Sequence, residues 1–85
     1  ILGNTFLNNS RRGISLRQNA SFCVIYGNSL GWNLESNALD DGFANMWDNG
    51  IGTGNHWHDY SGIGTYAIPG SANSVDNYPS ILTSP

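Results

Sequence analysis

Asn4-Thr5-Phe6-Leu7-Asn8-Asn9 and Asn28-Ser29-Leu30-Gly31-Trp32-Asn33 carry one pattern twice: Asn, a hydroxyl residue, a large apolar residue, two variable positions, Asn. The copies stand 24 residues apart. Internal repeats of that length point to solenoids, in which each unit stacks on the next. Between the copies, Gly13-Ile14-Ser15-Leu16-Arg17 alternates apolar and polar residues, so Ile14 and Leu16 share one face of a strand. Phe22-Cys23-Val24-Ile25-Tyr26 is an apolar run that reads as a buried strand, with Cys23 as a small core hydrophobe. Asn8-Asn9-Ser10 and Gln18-Asn19-Ala20 read as corners, because Asn tolerates left-handed backbone and bonds its own main chain. No stretch shows a helical apolar stripe with caps.

These readings predict an all-β parallel β-helix: short strand, corner, short strand, corner, repeating about every 24 residues. Asn side chains at equivalent corners would stack into hydrogen-bonded ladders. A β-sandwich fragment is the competing architecture. Residues 1–50 would form the coils, two to three in number. Residues 51–85 would form an irregular aromatic C-terminal cap that covers the last strand edge.

Composition narrows the function. The 85 residues include twelve Asn and eleven Gly but no Lys, and three Arg against six acids leave a net charge of −3. Charged residues make up 11%, against roughly 25% in ordinary domains. No basic surface is available for a phosphate backbone, so nucleic acid is an unsuitable partner. No apolar run reaches the ~18 residues of a membrane span. Ten aromatic residues want burial and argue against disorder. A chain that opens at Ile1 in mid-pattern reads as a processed product or a piece of something longer.

The stretch from Trp47 to Tyr60, W-D-N-G-I-G-T-G-N-H-W-H-D-Y, followed by Y-A-I-P-G and V-D-N-Y-P, resembles the C-terminal signature of NosD-like, CASH-type repeat proteins. In that family the pattern runs roughly N-x-W-D-N, G-N-Y-W-S-D-Y, P-Y-x-I-x-G and D-x-Y-P-L. The resemblance implies a right-handed parallel β-helix on an exported, extracellular, cell-surface or periplasmic protein that binds or processes glycans or builds the envelope. The chain departs from the pattern at His56 and His58, where the family has Tyr and Ser. It also lacks the acidic loop before P-Y, so no calcium site carries over.

The candidate sites are few. His56 and His58 stand at i and i+2, on one side of a strand, where both imidazoles can reach one copper or zinc ion. Two ligands do not make a site, and packing against the cap is the stronger reading, with no cofactor. Asp40 and Asp41 are adjacent and so point to opposite faces, which suits a glycosidase pair badly. A turn and a solvated face account for them. Catalytic residues: none. Trp32, beside Asn33, is the best-placed aromatic to stack on a sugar, whereas Trp47 and Trp57 read as core. Asn8 and Asn19 open N-glycosylation sequons. The leading expectation is a non-catalytic structural or carbohydrate-contacting module. Its rivals are the inert end of a polysaccharide-processing enzyme and a self-assembling filament or surface-layer subunit whose copies stack end to end.

Overall fold

The computed structural model describes residues 1–84. Eight short strands run in the order β1 (Thr5–Leu7), β2 (Arg12–Leu16), β3 (Ser29–Gly31), β4 (Ser36–Asp40), β5 (His56–Trp57), β6 (Tyr66–Ala67), β7 (Val75–Asp76) and β8 (Ser80–Ile81). They build three small sheets: a parallel one in the order β1-β3-β5-β8, a parallel pair β2-β4, and an antiparallel pair β6-β7. No helix among the described residues is long and apolar enough to cross a membrane.

The doubled Asn pattern sets the first pairings. Thr5 lies opposite Ser29 and Phe6 opposite Leu30. Arg12 lies opposite Ser36 and Ile14 opposite Ala38. Both pairings have the 24-residue offset read from the sequence. Because alternate strand residues face one way, Phe6, Leu30, Trp57 and Ile81 form one column across the four-stranded sheet. Ile14 and Ala38, with Leu16, fill the core from the second sheet. Ile25, Leu30, Trp47 and Trp57 are fully buried. Each Trp removes about 150–250 Å² from water, a gross gain of about 4–6 kcal/mol.

The expected right-handed parallel β-helix is corrected by this topology. Among the described residues eight short strands lie in separate small sheets, mostly parallel, and form no solenoid. The second sheet stops at two strands. The third line of contacts is reduced to the isolated bridges Leu2 to Tyr26, Ser21 to Phe43 and Val24 to Met46. The offset also drifts, to 27 residues between Ser29 and His56 and to 22 between Ser21 and Phe43. The physical reason lies in the chain after Asp40. Only two copies of the Asn pattern exist; after Asp40, β5 and β8 keep two-residue parallel pairings, while the chain between them turns back into an antiparallel pair. Gly54 and Gly70 permit that return, since a Cβ on Gly54 would collide with the Asp76 carboxylate and one on Gly70 with the Asp40 backbone.

The apolar run at Phe22 is a second correction. Only Ile25 in it is buried; Phe22 is 73% exposed and meets Phe43 edge-on, with ring centroids 5.9 Å apart. The run forms bridges rather than a strand because Phe22 takes a left-handed turn at φ 55°. Cys23 is half-buried and packs against the edge of the core.

Candidate functional site

Three chains of side-chain hydrogen bonds order the molecule, and each has a direction. In the first, Asn4 Nδ2 donates to Asn28 Oδ1 (3.4 Å), Asn28 Nδ2 to Asn55 Oδ1 (3.0 Å) and Asn55 Nδ2 to Asp76 Oδ2 (3.4 Å), and the backbone N–H of each Asn donates to the same oxygen. In the second, the Asn9 amide Nδ2 donates to Asn33 Oδ1 (2.8 Å), Asn33 Nδ2 to Asn37 Oδ1 (3.0 Å), and Asn37 Nδ2 to Asp59 Oδ1 (3.0 Å). The third runs from the Cys23 N–H to Asn45 Oδ1 and from Asn45 Nδ2 to Asp40 Oδ1. An Asn amide both accepts and donates, so it can pass the chain on. An ionised carboxylate only accepts, so it ends one.

The three Asp terminators tie the ladders to the aromatic residues. Trp57 Nε1 donates to Asp76 Oδ2 at 2.9 Å and Trp47 Nε1 to Asp40 Oδ2 at 3.0 Å. The Tyr66 hydroxyl donates to Asp59 Oδ1 at 2.9 Å. Burial by itself pushes the Asp40 carboxyl up, but bonds from Trp47, Ser74, Gly42 and Asn45 outweigh it and hold the group below the usual carboxylate value. Burial, reinforced by Asp59, pushes the Tyr66 phenol well above its ordinary value. No buried side-chain nitrogen or oxygen lacks a partner among the described residues. The adjacent Asp40 and Asp41 do divide their faces. Asp40 is buried, while Asp41 accepts from the Ser71 N–H (2.9 Å) and hydroxyl at the surface.

Against this frame stands Trp32. It is 36% exposed and adopts φ 52°, a conformation costly for a bulky side chain. Two contacts hold it there: its N–H donates to His58 Nδ1 at 2.9 Å, and its ring stacks on the His58 imidazole with centroids 4.7 Å apart. His58 Nδ1 also lies 3.1 Å from Asn37 Nδ2, which ties the stacked pair to the second ladder. The corner one copy earlier is Asn8, at φ 58°. Asn takes that conformation cheaply and Trp does not.

The predicted site residues therefore separate. Trp32 and His58 come together. Asn33 does not join them as a free ligand group, since it is 7% exposed and its amide is spent on Phe6 O, Asn9 and Asn37. His56 is exposed on β5, and the Nδ1 of His58 is engaged by donors. No group of three or more His, Cys, Asp or Glu side chains is placed to hold a metal among the described residues. Asn8 and Asn19 are exposed at corners. Asn19 lies with Arg17, Gln18 and Asp41 along an open polar groove of about 330 Å³. The Asp terminators and the Trp32–His58 stack escaped sequence reasoning. The available signal was Asp at positions where the preceding ladder residues are Asn.

No protein-family model, curated protein or solved structure matches this chain.

Proposed function

We propose that the chain is a non-catalytic structural module of an exported cell-surface protein that contacts carbohydrate through the Trp32–His58 face. The observation that carries this reading is Trp32 itself. A large aromatic occupies a left-handed corner where the preceding copy has Asn, and half-exposed rings held in strained backbone cluster at binding sites. An aromatic face beside a carboxylate suits a sugar ring, whose C–H face stacks while its hydroxyls bond. Asp59 is exposed and is joined to His58 through the buried, fully engaged amide of Asn37. The resemblance of the tail to NosD-like, CASH-type surface proteins agrees with this setting, as do the exposed sequons at Asn8 and Asn19.

End-to-end stacking of copies is less well supported. The side-chain rungs of the first two ladders run toward Asp76 and Asp59, whose carboxylates have no side-chain N–H to offer the Asn4 or Asn9 of a second copy.

The test is a glycan array with the full chain, followed by calorimetric titration of any saccharide that binds. Loss of one aromatic stack should weaken binding about 3–10-fold in Trp32→Ala. Absence of binding to any glycan, or binding untouched by Trp32→Ala, overturns the proposal.

A further inference from the structure

We propose that Asn49 and Gly50 form a self-modification site, at which the fold accelerates closure of the Asn49 side chain onto the Gly50 nitrogen with loss of ammonia. Of the twelve Asn residues, Asn49 alone precedes Gly. Gly50 carries no side chain to shield its nitrogen, and a Cβ there would meet only Met46 Cε, at 3.7 Å. The arrangement around this pair supplies the two aids that acyl chemistry needs. Asn49 Oδ1 accepts the N–H groups of Ile51 (2.9 Å) and Thr53 (3.0 Å), a two-donor pocket for an oxygen that gains negative charge. The Gly50 N–H donates to Asp48 Oδ1 at 2.9 Å, so a carboxylate already holds the proton that must leave.

Both aids are fixed. Asp48 is 3% exposed, and its other oxygen accepts the backbone N–H and side-chain amide of Asn77 at 2.9 and 3.0 Å. The Asn49 N–H donates to Thr53 O at 2.8 Å, which closes the loop on itself. In the step, the Gly50 nitrogen gives its proton to Asp48 and forms a bond to Asn49 Cγ. The Cγ–Nδ2 bond then breaks, and the proton on Asp48 leaves with that nitrogen as ammonia. Water opens the resulting cyclic imide to aspartate or isoaspartate. The product adds one negative charge to the present −3, beside Asp48. Isoaspartate also lengthens the main chain inside the loop. The buried ladder residue Asn55 is the internal contrast, because its Nδ2 is held by Ile25 O and Trp47 O and the next residue is His56.

The experiment incubates the full chain at neutral pH, folded and in concentrated urea, and tracks position 49 by peptide mass spectrometry with isoaspartate detection. The folded chain should convert about tenfold faster or more, short of the ~10²–10³ that a single donor contributes in an enzyme. Asp48→Asn, checked for folding by circular dichroism, removes the proton acceptor but not the two-donor pocket and should bring the folded rate clearly below the parent's folded rate. A folded rate equal to or below the urea rate overturns the proposal. A folded Asp48→Asn chain that converts at the parent's folded rate overturns it too. If that variant does not fold, the comparison of folded and urea rates in the parent chain decides alone.

Discussion

The segment from Thr5 to Asp40 and the segment after it solve the same problem with different chemistry. In the first, strands of three to five residues stack at a 24-residue offset, joined by neutral Asn amides. In the second, strands shrink to two residues, one pair turns antiparallel, and the Asp76 and Asp59 carboxylates accept from the Trp57 indole N–H and the Tyr66 phenol O–H. The difference teaches that a repeat needs a residue able to pass hydrogen bonds on, whereas an ending needs one that only receives them.

The largest effect should come from removing a terminator. Asp76 is fully buried and accepts from the Asn55 N–H, the Trp57 indole and the Tyr78 N–H. Asp76→Ala strands several buried donors at about 1–3 kcal/mol each, against a total stability of about 5–15 kcal/mol. Loss of cooperative urea unfolding, read by Trp fluorescence, is the expected outcome. A midpoint close to the parent's would mean that the carboxylate is not what closes the fold.

That asymmetry explains what the sequence revealed. The pairing of Thr5 with Ser29 was legible, because Asn and a hydroxyl residue recur at fixed spacing and the repeat is a local signal; the structure extends the same offset to Arg12 and Ser36, where no strand was read. The buried Trp47 and Trp57 were legible from size and hydrophobicity. The architecture after Asp40 was not. It depends on Gly54 lying against Asp76 and on Gly70 lying against Asp40, contacts 22 and 30 residues distant that leave no periodic trace. Asp40 looks in the sequence like half of a solvated pair. Strand alternation instead puts it opposite Leu16, facing inward, where only the later Trp47 indole makes a carboxylate acceptable. The Trp32–His58 stack is likewise a long-range meeting, 26 residues apart.

Within the Asn ladder the effect should depend on depth. Asn28 is buried and binds Asn4, Asn55, Ile1 and Tyr26, so Asn28→Ala should cost about 2–3 kcal/mol. Asn4 is exposed and leads the ladder, so Asn4→Ala should cost under about 1 kcal/mol. Denaturant midpoints of the two variants give the comparison directly. Equal losses would show that the ladder acts as one unit rather than rung by rung.

The third test sets a charged ladder terminator against the neutral Asn rungs. Asp40 has a lowered pKa when folded, so the unfolded chain binds its proton first as pH falls. Its stabilising contribution is complete above the unfolded carboxylate pKa, near about 4, and disappears as pH drops through the lower folded value. Urea midpoints measured from neutral to acid pH should fall, and Asp40→Asn should flatten part of that fall. The Asn rungs carry no charge and add no such slope. An acid limb identical in parent and variant would place the sensitivity elsewhere.

The smallest effect on stability should come from Trp32→Asn, and its smallness is informative. The variant restores at position 32 the residue found at the matching corner, Asn8, and relieves backbone strain of about 1–3 kcal/mol. It gives up the ring stack on His58, about 0.5–1.5 kcal/mol, and exposes little new core because the indole is already 36% exposed. The backbone N–H to His58 Nδ1 bond survives the exchange. Gain and loss nearly cancel, so the urea midpoint should stay where it is or rise slightly. A corner residue kept for the fold would behave oppositely. A clear fall in midpoint would make Trp32 a structural wedge, and the strained aromatic would no longer point to a ligand.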